Sequence, residues 1–215
     1  MHLYRGITMR SPDRIPVITL DALERFSQYS SRLYLLHGPE SPVAHALAQH
    51  RNDQGYEIFN ATRPFFADHA IECVSHLVGG NGLRSTAHAA RMLSFAREYD
   101  IDAILTNAAR MLDASDAPVA DILDCTRQLV PLHSRHLERS NAESYLKSAS
   151  DMAEVAADIA RAAGEGSPRY LLRTTREWAE RSLLSPTRDI GIGDIHLPES
   201  SVIGVDSDSA MRALL

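Results

Sequence analysis

Lysine is almost missing from this chain: of its 22 basic residues, Lys147 alone is lysine and the rest are arginine. Folding makes no demand for such a bias, and a GC-rich coding sequence is its simplest source. Cysteine is nearly as scarce. Cys73 and Cys125 are too few and too far apart for a disulfide framework or a zinc motif, so two reduced, buried thiols are expected. No apolar run approaches the roughly 18 residues needed to span a bilayer. The opening Met1-His2-Leu3-Tyr4-Arg5 has neither the apolar core nor the cleavage signal of a secretory leader. A soluble, cytoplasmic chain without membrane contact is therefore expected. An excess of positive charge is lacking too. At a net charge of −6, non-specific attraction to phosphate backbones is not expected of this chain by itself.

What is present is an ordinary globular mixture, 44% hydrophobic and 23% charged, long enough for one full core or a domain with an appended helical segment. Residues 1–20 are weakly patterned, and Pro12 and Pro16 break any helix there. Asp21 to Gln28 reads as a short helix with Asp21 as N-cap. Arg32 to His37 reads as a buried strand closed by Gly38-Pro39. Ser41-Pro42 then opens a helix that would bury Val43, Ala46, Leu47 and His50. A turn is expected over Asn52 to Gly55, then an aromatic-rich connection from Tyr56 to Phe66 interrupted by Pro64. Ala70 to Val74 is a second strand, Ser85 to Tyr99 a helix after the Gly79-Gly80-Asn81-Gly82 loop, and Ala103 to Thr106 a third strand. Strands and helices alternating at this spacing argue for parallel strands with crossover helices.

After Asp116 the text turns helical. Helices are expected over Asp116 to Leu129, over Asp151 to Ala163, and from Ser167-Pro168 onward with Leu171, Leu172, Thr175 and Trp178. Asp151 and Glu154 make a capping-box-like pair, and Gly164 supplies the stop. From Pro186 the chain reads as extended, with a short helix at Ser209 to Leu215. The division expected is a βα portion over residues 1–115, a helical connector over 116–185 and an extended lead over 186–215.

Parallel α/β folds place their sites at the carboxyl ends of strands, and His37 and His76 fall there. Glu72 and His76 form a partial metal-ligand pair, since carboxylate and imidazole both suit zinc or manganese. A working site needs more ligands, and the third strand end offers only Thr106-Asn107-Ala108-Ala109-Arg110. Gly38-Pro39-Glu40-Ser41 could form an anion nest, but a tight turn with an N-cap is the favoured reading. Gly191-Ile192-Gly193 lacks the third glycine and the strand–turn–helix setting of a dinucleotide fingerprint. His88 and Arg91 read as the solvated edge of a helix. His133, Arg135, His136 and Arg139 read as a small basic loop cluster.

Taken together, Glu72-Cys73-Val74-Ser75-His76, Leu105-Thr106-Asn107 and Asp116-Ala117 resemble the later half of a polymerase-and-histidinol-phosphatase (PHP) domain. The likeness is to the one at the front of the bacterial DNA polymerase III alpha subunit and its error-prone relatives. Asp121-Ile122-Leu123-Asp124, Leu129-Val130-Pro131-Leu132 and Asn141 to Ser148 are similar to the helical stretch that follows. Asp189 to Glu199 is similar to the link before the palm in actinobacterial members. The resemblance spans roughly residues 17–205.

It implies a partial, distorted TIM-like βα barrel followed by an α-helical connecting segment, in a chain truncated at both ends. It also implies membership of a DNA-directed DNA polymerase family serving replication and repair, with the palm, the fingers and, through them, DNA as partners. Magnesium in that family belongs to palm carboxylates, which this chain does not reach. The His-x-His strand of metal-binding members is absent. Where those members read Thr-Asn-Asp-x-His, Ala108 and Arg110 replace both ligands, and the fixed charge of Arg110 opposes a cation there. Glu72 and His76 match ligand positions but are isolated. The expectation is therefore a chain with no catalytic residues, no bound metal and no cofactor, in which the PHP portion is structural.

Two rivals stand beside it. One is a metal-dependent phosphoesterase or exonuclease using Glu72, His76 and His37, completed by a partner. The other is a non-catalytic interaction module for polymerase partners, whose open strand edges would favour self-association.

Overall fold

A computed structural model describes residues 19–30, 32–137 and 139–193. A three-stranded parallel sheet forms its centre, from β1 (Tyr34–His37), β2 (Asp68–Cys73) and β3 (Asp102–Leu105) in the order β1-β2-β3. The sheet does not close on itself, so the architecture shown is mixed α/β with a small open parallel sheet. Because side chains alternate along a strand, the register splits them cleanly. His37 lies opposite Ile71, and Ile71 and Cys73 lie opposite Ala103 and Leu105; these line the main core. Ala70 and Ile104 point to the other face, where Trp178 covers them. Glu72 shares that second face by alternation.

Short helices α1 (Leu20–Arg25) and α2 (Ser27–Ser30) precede β1, and Thr19 rather than Asp21 caps α1. Asp21 instead lies in the first turn, where its charge suits the helix N-terminus. Helix α3 (Pro42–Ala48) starts as Ser41-Pro42 implies, with Ser41 Oγ accepting from the Ala44 N–H at 3.1 Å. His50 is exposed and left-handed at φ 57°, so it ends α3 and is not buried by it.

Helix α4 (Asn52–Thr62) occupies the stretch expected to be turn and connection. Gly55 looks like a breaker in the sequence but is a packing residue. A Cβ there would sit 3.3 Å from Leu47 Cδ2 and 3.7 Å from Phe95 Cε2, so its missing side chain lets helices approach closely. Pro64 then ends the segment in a 3-10 turn over Arg63–Phe65.

Helix α5 (Thr86–Glu98) is capped by Ser85 and buries Ala89, Met92, Leu93, Phe95 and Ala96 against the sheet. Helix α6 (Ala117–Gln128) follows β3. Helix α7 (Ala149–Ala162) begins earlier than expected, because Ser148 and Asp151 form the capping box: Asp151 N–H donates to Ser148 Oγ at 3.1 Å, and Ser148 N–H to Asp151 Oδ2 at 3.3 Å. Glu154 lies beyond it. Val155, Ala156 and Ile159 of α7 join the same core as Phe95 and Leu105, so the core runs across position 116.

Helix α8 (Arg169–Arg181) buries Leu171, Thr174 and Trp178. Thr175 Oγ1 accepts from the Leu105 N–H at 2.7 Å, and the Tyr170 hydroxyl sits between the Ala103 N–H and the Ile101 carbonyl. Backbone groups of β3 are thereby satisfied by helix side chains rather than by a fourth strand.

The first compact unit runs to Trp178, and a second begins at Ala179. In the second, helix α9 (Pro186–Ile190) stands where extended chain was expected. Ser185-Pro186 repeats the start signal of α3, and Gly191 at φ 69° supplies the left-handed stop. The helix expected over residues 209–215 lies outside the described residues, as do the segments 1–18 and 194–199. Among the described residues no helix is long and apolar enough to cross a membrane.

Candidate functional site at the strand ends

Glu72 is the second-to-last residue of β2, and its carboxylate meets both neighbouring strand ends. Thr106, just past β3, donates its hydroxyl to Glu72 Oε1 at 2.6 Å. Gly38, just past β1, presents its bare Cα to the same carboxylate; any Cβ at position 38 would collide with Glu72 Oε2. The glycine that closes β1 thus lets the β2 carboxylate lie against it, and a side chain there would push the carboxylate aside. The Gly38–Ser41 turn serves as the expected N-cap of α3, with Ser41 N–H donating to the Gly38 carbonyl at 2.9 Å.

His76 is buried, and burial holds its pKa below the ordinary histidine value. Its Nε2 lies 2.9 Å from the Asn107 carbonyl. A carbonyl only accepts, so Nε2 carries the proton and its lone pair is not available to a ligand. The backbone of His76 is fixed as well: its N–H donates to the Arg84 carbonyl at 2.8 Å, and its carbonyl accepts from Asn141 Nδ2 at 2.7 Å.

Asn107 was visible in the sequence only as part of the third strand end. Its side-chain amide donates to the Glu143 and Tyr145 carbonyls at 2.7 and 2.6 Å. Lys147, the single lysine, is buried nearby and bonds the Glu143 carbonyl at 2.7 Å and carboxylate at 2.8 Å. The strand end is therefore stitched to the 141–147 loop by amide and ammonium donors.

Ala108 and Arg110, the two substituted ligand positions, occupy the adjoining turn. Ala108 is left-handed at φ 41°, and its N–H donates to Thr106 Oγ1 at 3.1 Å. The charge of Arg110 is met by a carboxylate of α6. Its NH1 and NH2 hold Asp124 of α6 at 2.8 and 2.6 Å, and this bond keeps the Asp124 carboxyl below its usual pKa. Arg139, assigned to a solvated loop cluster, likewise clamps Asp121 of α6, with Nε–Oδ1 at 2.6 Å and NH2–Oδ2 at 2.5 Å. A cavity of about 220 Å³ opens between these groups, lined among others by His76, Arg84, Arg110, Arg139 and Asn141.

His37 does not join Glu72 and His76. It points to the opposite face of the sheet, where its Nε2 is 3.2 Å from His69 Nδ1 and its ring is 5.1 Å from Phe59. Burial, reinforced by His69, pushes its pKa down to about 4. The partner His69 carried no sequence signal: it lies just before the second strand expected from the sequence, which starts at Ala70, but inside the strand that forms. His88 is not a solvated edge either: it is 1% exposed, and its Nε2 donates to the Ala44 carbonyl at 3.1 Å. Arg91 reaches the Leu47 carbonyl at 3.2 Å. These two bonds tie α5 to both turns of α3. His133 and Arg135 do stay exposed, and half-buried His136 donates its Nδ1 proton to the Pro131 carbonyl at 2.8 Å. Among the described residues no three His, Cys, Asp or Glu side chains gather as ligands of one metal ion.

In comparisons with known proteins, no family model matches the chain and no curated protein matches it.

Proposed function

We propose that this chain is a segment of a DNA polymerase III alpha-type polymerase, with a PHP-like portion that serves as a structural support rather than a catalyst. The observation that carries the reading is the bonding at the four positions that resemble the family's ligand sites. Glu72 is engaged by Thr106 and walled by Gly38. His76 spends its Nε2 proton on the Asn107 carbonyl. Ala108 offers no ligand, and Arg110 turns its charge to Asp124. Residues that would hold a cation instead join β1, β2, β3, α6 and the 141–147 loop. In the polymerase this block would buttress the palm and fingers, which supply the magnesium carboxylates and the DNA contacts.

The rival metal-dependent phosphoesterase needs a third ligand, and His37 stands on the wrong face of the sheet to provide it. Incubating the purified chain with zinc or manganese and primed DNA, or with a nitrophenyl phosphodiester, separates the two readings. The structural reading predicts no metal-dependent release of nucleotide or nitrophenol. Release that depends on metal and disappears in Glu72→Ala or His76→Ala would overturn it. Sequencing the DNA on both sides of the coding region tests the polymerase assignment independently. Codons for a His-x-His strand before and palm carboxylates after are its expected flanks.

A further inference from the structure

Helix α6 is built inside out. Its inward face carries Ala117, Asp121, Asp124 and Cys125, all buried, whereas Val119, Ile122 and Leu123 are 57, 51 and 63% exposed. At 100° per residue, Val119, Ile122, Leu123 and Thr126 share one stripe about 100° wide, opposite the two carboxylates. Leu129, the left-handed residue that ends α6, extends the apolar surface at 85% exposure. The orientation is imposed from outside the helix, because Arg110 and Arg139 hold Asp124 and Asp121 inward by bidentate bonds. Two guanidinium clamps thus keep an aliphatic stripe turned to solvent.

We infer that this stripe is a self-association surface, on which α6 of a second copy packs antiparallel about a two-fold axis centred between Ile122 and Leu123. Self-pairing follows from how charge is distributed around the stripe. The acidic Asp113 and Asp116 precede the helix, Asp116 accepting from the Asp113 N–H, and Arg127, 65% exposed in the last turn, leans on Asp124 at 3.9 Å. Asp116 and Arg127 fall on the same flank of the stripe, and same flanks face each other in an antiparallel isologous pair. Arg127 of each copy then comes beside Asp116 of the other, at both ends of the interface. A parallel pair brings opposite flanks together and so leaves Asp116 and Arg127 without each other.

The extent of the surface sets its strength. Four aliphatic side chains exposing on the order of 400 Å² reach the size at which apolar patches mark interaction sites. Two such faces stay below the roughly 1,200 Å² of a standard interface. The dimer is therefore weak and concentration-dependent. This inference rests on α6 and its clamps from Arg110 and Arg139, and it does not depend on the polymerase assignment.

Sedimentation of the full chain across the micromolar range should show a reversible monomer–dimer equilibrium. Leu123→Glu should weaken association about tenfold or more and leave the monomer's circular dichroism unchanged, since Leu123 touches solvent. Antiparallel geometry is read by mixing Val119→Cys and Thr126→Cys chains under mild oxidation, because positions 119 and 126 face each other across the proposed axis. The mixed pair should cross-link in preference to either self-pair. A chain that stays monomeric at every concentration would overturn the proposal, as would preferred Val119→Cys self-pairs. So would a monomer that binds phosphatidylcholine–phosphatidylglycerol vesicles through Leu123.

Discussion

Helices α5 and α6 are nearly equal in length, 13 and 12 residues, and both alternate apolar and polar residues at the helical period. They are nevertheless mounted in opposite senses. Helix α5 turns Met92, Leu93 and Phe95 to the sheet, whereas α6 turns Asp121 and Asp124 inward and Ile122 and Leu123 outward. The period of a pattern establishes that a helix has two faces, and the neighbours decide which one is inside. Helix α5 lies over the apolar face of β2 and β3, so burial of carbon surface orients it. Helix α6 meets Arg110 and Arg139. Buried carboxylates cost several kcal/mol each in desolvation, which bidentate guanidinium bonds can offset.

Substitutions in matched positions separate the two helices most sharply. Phe95→Ala should destabilise the chain by about 3–5 kcal/mol through loss of a fully buried ring. Leu123→Ala, which removes three carbons where Phe95→Ala removes six, should stay within about 0.5 kcal/mol in the monomer. Urea unfolding at low protein concentration checks both. A large cost for Leu123→Ala would reverse the assignment of α6 faces.

Acid should dismantle the two regions in sequence. The core side holds neutral histidines, of which His37 titrates at about 4 in the native chain and near 6.5 when unfolded. The unfolded state therefore takes up the proton first, and stability falls as pH drops from about 6.5 to about 4, then levels. The His37 contribution lost is about 3 kcal/mol. His69, His76 and His88 are depressed in the same direction by burial. The Asp124 carboxyl is held below its ordinary value by Arg110, so the α6 clamp yields only at lower pH, as Asp124 takes up its proton. Unfolding free energies measured between pH 7 and pH 4 should decline, and His37→Gln should flatten part of that decline. A flat profile in the unsubstituted chain would contradict the buried pair.

The ion pairs of α6 themselves should give the smallest effect. Asp121→Ala is expected to cost about 2 kcal/mol by stranding Arg139. Arg139→Ala made in that background should then cost little more, because the two residues share one interaction. Additive costs in this double-mutant cycle would place the clamp's contribution elsewhere.

Much of the framework was legible from local signals. Three strands, the caps at Ser41 and Ser85, and the helical character after Asp116 follow from hydroxyl N-caps, short apolar runs and helical periodicity. The misreadings of Gly55, His88 and His37 share a physical cause: they concerned residues whose roles depend on distant neighbours. Gly55 looked like a breaker until Leu47 and Phe95 filled the space beside it. His88 looked solvated until the Ala44 carbonyl faced it. His37 and Glu72 both end strands, but only the register shows that they occupy opposite faces. At the candidate site, Glu72, His76, Ala108 and Arg110 could be named from the resemblance. That Thr106, Asn107 and Asp124 would bond to them could not, since hydrogen bonds across strand ends leave no periodic trace.

The account turns on His76 and Glu72 being committed to hydrogen bonds within the fold, and ring nitrogen resonances of His76 report that commitment directly. Long-range proton–nitrogen correlation spectra at neutral pH should show His76 protonated at Nε2, with shifts that do not move on adding one equivalent of zinc. An unprotonated Nε2, or a His76 resonance displaced by zinc and released by Glu72→Gln, would contradict it.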